Sequence, residues 1–238
     1  MSNRRLSLEE AQALSSGSDH YTAYVGPPRE YDAMGATQFM LLCTLGLRAH
    51  HRLLDFGCGS LRAGRLLIPY LDSDHYFGIE PNPWLIEDGI QNEVGADQVE
   101  IKRPRFLHHD DFDCSAFGVD FDYVLAQSIF SHCGPDLIER GLAAFQRSLS
   151  PDGLAAVTFI HPEEGQDPAP GEGWVYPESV THSVSSIHEL VYDAGLHSLA
   201  IPWYHPRQTW WLLARTPDRL PGRDQLDLLQ GAVFASPR

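Results

Sequence analysis

The sequence predicts an α/β protein built on a doubly wound, mostly parallel sheet of seven strands, and three observations predict it. Short apolar runs alternate with helix-patterned segments from about residue 52 to residue 160. Repeated strand–helix units of this kind give a parallel sheet covered on both faces. Acids close the first three runs, at Asp55, Glu80 and Asp110, which puts them at the carboxyl ends of strands, where such sheets hold ligands. The last two apolar runs, 196–204 and 208–215, stand close enough to pair as a hairpin around His205, Pro206 and Arg207.

The elements follow in order. The first 28 residues are polar, end in "YVGPP" and read as an arm or lid. Apolar residues then recur at helical spacing to Leu47. "RLLDF" (52–56) is the first strand, and "SLRAGRLLIPYL" (60–71) is a helix with Ser60 as its N-cap. "HYFGIE" (75–80) is strand two, followed by a helix over 83–94 with Pro83 in its first turn. "RFLHHD" (105–110) and "FDYVLAQ" (121–127) are strands three and four. A helix over 135–149, a "PDG" turn and strand five, "LAAVTFI" (154–160), come next. Residues 162–177 form a long loop of Pro, Gly and acids, and loops of that length inside a domain are often functional. Gly195 closes a helix over 183–195.

Bulk composition narrows the function. The 238 residues suit one large α/β domain. Within it, 1–48 is expected to be the arm and its helix, 49–216 the core and 217–238 a weakly patterned tail. A net charge of −15, with a single lysine, Lys102, argues against a nucleic-acid partner. No apolar run approaches the roughly 20 residues that span a bilayer, and the N-terminus does not read as a secretory signal. The expectation is a cytoplasmic protein with no membrane partner. The four cysteines make no C-x-x-C pair, the histidines show no spaced pair with an acidic partner, and no metal is expected. The oligomeric state is left open, with a homodimer among the options.

The stretch "LLDFGCGSLRAGRLL" (53–67) carries the chemistry. Gly57 and Gly59 allow close backbone approach and positive φ. A carboxylate at Asp55 is unsuited to phosphate and suited to a cationic group. Glu80 lies about 20 residues past the glycines, where an acid accepts both hydroxyls of a ribose. Asp110 and Asp111 can accept from an exocyclic amine such as that of adenine. Acids at three neighbouring strand ends fit a ligand with an amine, a ribose and an adenine but no phosphate.

That stretch resembles the first motif of class I S-adenosylmethionine-dependent methyltransferases. "YFGIEPN", "HHDDF", "FDYVLAQSIFSH" and "LSPDGLAAVTFI" resemble the next four motifs, in order. The resemblance covers about residues 50–215. It implies a Rossmann-like fold whose last strand inserts antiparallel, and S-adenosylmethionine as cofactor, leaving as S-adenosylhomocysteine. It implies that Asp55, Gly57 and Gly59 surround the methionine part, with Cys58, Ser60 and Arg62 beside them. Glu80 would hold the ribose, next to Pro81 and Asn82. Asp110 or Asp111 would meet the adenine amine near Phe112. Gln127 would lie by the amino group through its backbone carbonyl.

Methyl transfer to a hydroxyl, phenol or ammonium needs a base. His132, just after strand four, is the first candidate and His161, at the end of strand five, the second. Tyr24 and Tyr31 in the arm, with Trp174 and Tyr176 in the long loop, are candidates to wall an acceptor pocket. A small-molecule acceptor is expected. Two other readings compete: a protein that binds the cofactor without transferring its methyl, and a nicotinamide-dependent oxidoreductase. The latter's fingerprint needs a third small residue where this chain has Arg62.

Overall fold

The computed structural model describes residues 4–230, and these fall into two compact units that divide between Asp110 and Asp111. In the first unit, helix α1 (Leu8–Ala13) begins with a reciprocal capping box between Ser7 and Glu10. A single turn α2 (Tyr21–Tyr24) and a 3-10 turn (Pro28–Glu30) lead into α3 (Tyr31–Thr44). Strand β1 (Leu53–Phe56) is buried at every position, as a strand covered on both faces must be. Helix α4 (Gly64–Tyr70) is followed by β2 (Tyr76–Ile79), α5 (Pro83–Gly89) with a π-turn through Val94, α6 (Ala96–Lys102) and β3 (Arg105–Leu107). β1 pairs parallel with β2, setting Asp55 opposite Gly78, and β2 pairs parallel with β3. β3 is short and buries none of its residues fully, which suits the edge it occupies.

An ionic knot ties the N-terminal arm down within this unit. The carboxylate of Glu93, its side chain 2% exposed, accepts from Arg5 at 2.6 Å and from the Tyr21 hydroxyl at 2.9 Å, with Arg65 at 3.5 Å. Arg5 and Arg65 also share Asp32. Tyr21 packs with Tyr31 and Leu85, and Tyr24, Val25 and Trp84 cover them. Tyr21→Phe is expected to cost about 1–3 kcal/mol in urea unfolding, since it leaves a buried charged acceptor short of a donor. A change within error would show that the arginines alone satisfy Glu93.

In the second unit, β4 (Phe121–Ala126) pairs parallel with β5 (Leu149–Phe159), and α7 (Pro135–Ser148) links them. Helix α8 (Val184–Asp193) is capped by the Ser183 hydroxyl, and Gly195 follows it at φ 73°. Strands β6 (His197–Ile201) and β7 (Thr209–Ala214) form the expected hairpin, and β7 also pairs antiparallel with β5. The strand order is β3-β2-β1 in the first unit and β4-β5-β7-β6 in the second, with β7 reversed.

Two expectations need correcting, and two helices lie where the sequence reading assigns no element. The helix expected from Ser60 starts at Gly64 and has no side-chain cap. Residues 57–63 are spent on a turn in which Gly57, Gly59 and Leu61 all have positive φ. Residues 149–153, read partly as a turn, belong to β5 as an irregular segment: Phe121 pairs with Leu149 and Tyr123 with Leu154. Helix α6 was not foreseen, because "ADQVEIK" buries no residue and so has no clear apolar stripe. The tail contains a helix, α9 (Arg223–Gln230), while residues 231–238 lie outside the described residues.

Candidate functional site

The turn after β1 is built by hydrogen bonds to the neighbouring strand. Ile79 O accepts from Gly57 N and Cys58 N at 2.9 and 3.0 Å. Cys58 is buried, and its sulfur lies where a Cβ on Gly78 would have to go. Gly59 is irreplaceable on two counts: its φ is +53°, and a Cβ there would come within 2.6 Å of Val25 Cγ1. The arm therefore rests on the turn. Arg62 Nη1 donates to Val25 O at 2.8 Å. Ser60 O accepts from the Tyr31 hydroxyl at 2.9 Å, and Ser60 Oγ lies 3.2 Å from that hydroxyl.

Two buried acids flank the turn. Asp55, 4% exposed, accepts from the Tyr76 hydroxyl at 2.7 Å. Burial pushes its carboxyl up to about 6, against the pull of the Tyr76 bond and the Arg62 charge. Glu80 accepts from Gly59 N at 3.2 Å on Oε2, and from Asn82 N and Nδ2 at 2.9 and 2.8 Å on Oε1. Burial raises its pKa too, and these bonds oppose the rise. Pro81 joins Glu80 to Asn82, the residue before α5. Asp110 is exposed and ends this unit. Tyr24 sets its ring edge on Trp84 with centroids 5.3 Å apart. Tyr31 is buried against the turn.

The second unit begins with Asp111, whose carboxylate accepts from Asp113 N at 2.9 Å in a local turn, and Phe112, which is buried at φ 62°. Gln127 follows β4 and is buried. His132 Nδ1 lies 2.5 Å from Glu178 O. A carbonyl only accepts, so Nδ1 carries the proton and Nε2 keeps its lone pair. Burial lowers the imidazole's pKa, and the Glu178 bond opposes that shift. Its ring centroid is 5.7 Å from Trp174 and 5.0 Å from Tyr176, which stack on each other at 25°. Trp174, 52% exposed, and Tyr176 line a cavity of about 560 Å³ with Val175, Glu178 and Val180. His161 Nδ1 is 3.0 Å from His182 O, and buried His182 reaches Cys133 O through Nε2 at 3.2 Å. Among the described residues no group of three or more His, Cys, Asp or Glu is placed to hold a metal ion. No described helix is long and apolar enough to cross a membrane.

One polar corner escaped the sequence reading. His205 and Gln208 meet Gln127 and Ser128 across 78 and 80 positions of chain. The only signal was a run of polar residues just before an apolar strand.

Residues 54–155 match a family model described as a methyltransferase domain. No curated protein sequence matches the chain. Among solved structures, a TehB-like S-adenosylmethionine-dependent methyltransferase from Corynebacterium glutamicum is 21% identical, with a TM-score of 0.53 over 76% of this chain and 88% of its own. DhpI, solved with S-adenosylhomocysteine, is 15% identical with a TM-score of 0.59, over 88% and 95%. CalS10, an amino pentose methyltransferase from Micromonospora echinaspora, is 15% identical with a TM-score of 0.58, over 78% and 92%. The fold is that of the class I, Rossmann-like methyltransferases.

Proposed function

We propose that this protein transfers a methyl group from S-adenosylmethionine to a small-molecule acceptor. The observation that carries the reading is the turn after β1: a buried carboxylate at Asp55, glycines at positive φ and a second buried carboxylate at Glu80 bound to the same turn. Such a donor set suits a cationic nucleoside and not a pyrophosphate. Asp55 costs the fold energy to keep ionised, and an ammonium would offset that cost. The oxygens of Glu80 keep lone pairs for ribose hydroxyls. Cys58, Ser60 and Arg62 belong to the same turn and Asn82, next to Pro81, holds Glu80, and all five, with Asp110, Asp111, Phe112 and the Gln127 carbonyl, are assigned to the cofactor on resemblance. Neighbours in fold were solved with S-adenosylmethionine or S-adenosylhomocysteine bound, and one methylates an amino pentose.

When bound, the cofactor supplies a methyl already activated on a sulfonium. The protein's part is to orient the acceptor, exclude water and take a proton. An acceptor held against the cofactor would gain that methyl and give up its proton to a base, and the cofactor would leave as S-adenosylhomocysteine. We assign the base to His132, whose Nε2 lone pair is fixed by the Glu178 carbonyl, with His161 as the second candidate. Trp174 and Tyr176 are assigned to the acceptor pocket. Tyr24 and Tyr31 are assigned to the arm that covers the turn.

Thermal shift tests the cofactor: S-adenosylhomocysteine should stabilise the protein and NAD should not. Stabilisation by NAD alone would reverse the reading. Labelled methyl should then appear in the small-molecule fraction of a metabolite pool. For His132 the rate should rise with pH through one protonation below about 6.5 and then level, since only the neutral ring accepts a proton. His132→Asn should remove that limb and lower turnover by about 10²–10⁴. An unchanged profile would move the base to another group. The same lowered pKa makes the fold lose stability as pH falls below about 6.5, because the unfolded ring protonates first.

A further inference from the structure

The corner at the carboxyl end of β4 contains a contradiction that resolves in one way. His205 Nδ1 accepts from Arg207 N at 3.1 Å and from Gln208 N at 2.9 Å. Backbone N–H groups can only donate, so this nitrogen is bare and the proton of the neutral ring is on Nε2. That Nε2–H lies 3.3 Å from the end of the Gln127 amide set there as nitrogen. Two donors cannot share a hydrogen bond. Half a turn of the amide, which leaves its shape unchanged, puts the oxygen on His205 and satisfies both. The NH₂ group then takes the position of the other end, where a buried atom has no hydrogen-bond partner. Gln127 is 7% exposed.

Its neighbour repeats the pattern. The Gln208 amide sits on Ser128 Oγ and Ser131 Oγ at 3.0 and 3.3 Å, and its far end is likewise buried without a partner. Ser128 itself is held at φ 61°, a strained conformation of the kind that gathers at functional sites. Folded proteins leave few buried polar atoms unmet, and each is costly. The register explains the location. β7 runs opposite to β5 and pairs Thr158 with Trp210, so Gln208, just before β7, comes back to the edge where β4 and β5 end. That is the edge where such sheets carry ligands.

We propose that His205 turns the Gln127 amide so that its NH₂ donates to a ligand oxygen, a carboxylate, carbonyl or hydroxyl, held at the carboxyl end of β4. His205 is a positioning residue and Gln127 the contact. The proposal rests on the methyltransferase reading for the identity of the ligand, which is either the amino-acid end of the cofactor or the methyl acceptor.

Gln127→Glu isolates the donor, because Glu keeps an oxygen for the His205 N–H and loses the NH₂. Calorimetry with S-adenosylhomocysteine and incorporation of labelled methyl into a metabolite pool separate the two sources. A fall of about tenfold or more in S-adenosylhomocysteine affinity, repeated in His205→Phe, assigns the oxygen to the cofactor. Unchanged affinity with a matching fall in incorporation assigns it to the acceptor. If neither moves, a buried water meets the amide and the proposal fails. Nitrogen-15 NMR of the wild-type chain gives a test that does not depend on a variant's folding: His205 should carry its proton on Nε2, and a proton on Nδ1 would overturn the proposal alone. A wild-type chain that binds no S-adenosylhomocysteine would instead bring down the methyltransferase reading, and this proposal with it.

Discussion

Replacing Asp55 by Asn is expected to make the ligand-free protein more stable and its binding of S-adenosylhomocysteine weaker. The carboxyl is raised from 3.8 to about 6 chiefly by burial. Between those values the folded chain holds a proton that the unfolded chain has lost, so stability falls as pH rises from about 4 to about 6. Above that window both states are ionised, and the fold carries a penalty of up to about 3 kcal/mol. Asn removes the charge and keeps an oxygen for the Tyr76 hydroxyl, so most of the penalty should return as stability at pH 7.5. A ligand ammonium would meet the wild-type carboxylate in a charge-assisted bond worth about 1.5–3 kcal/mol, and the Asn variant forfeits it. Binding should also release a proton from the wild type near pH 6, so its affinity should rise between pH 5 and 7 while that of the variant stays flat. Urea unfolding and calorimetry at several pH values measure both. A variant that is less stable, or a wild type whose affinity ignores pH, would mean that Asp55 is a structural acid.

How much of this was legible in the sequence depended on how local the cause was. β1 and β2 were readable because a strand covered on both faces is a continuous apolar run, and because an acid and glycines interrupt it where the chain must turn. The start of α4 was not. Ser60 has the chemistry of a cap, but Gly59 and Leu61 at positive φ keep the chain in a turn until Gly64, and Ser60 is engaged with Tyr31 instead. Tyr31 illustrates the same limit: its composition suits a pocket wall, whereas its burial against the turn comes from how α3 packs, which no spacing reveals. The Glu93 knot joins Arg5, Tyr21 and Arg65, up to 88 positions apart. The Gln127 corner needs β7 to reverse direction. Polar partners brought together only by tertiary structure leave no periodic trace, whereas apolar strands and turn glycines do.

Glu80→Gln should damage the protein nearly as much as Glu80→Ala, although it preserves shape. Three donors converge on the carboxylate: Gly59 N–H on one oxygen, and Asn82 N–H and Nδ2–H on the other. An amide has oxygen at one end only, so its nitrogen must face either the glycine turn or Asn82, donor against donor. Each lost bond to a buried charged group is worth about 1.5–3 kcal/mol, partly offset because burial already penalises the ionised Glu80. A net loss of about 1–3 kcal/mol in urea unfolding is expected for either variant. Binding has a second component, since the carboxylate that holds Gly59 is also the one assigned to the ribose. A double-mutant cycle separates the two. Wild type should bind S-adenosylhomocysteine about tenfold or more tightly than an analogue lacking both ribose hydroxyls, and in Glu80→Ala that preference should largely vanish. Were the preference to survive in the variant while stability fell, Glu80 would be a brace for the glycine turn and the sugar would be held by another group.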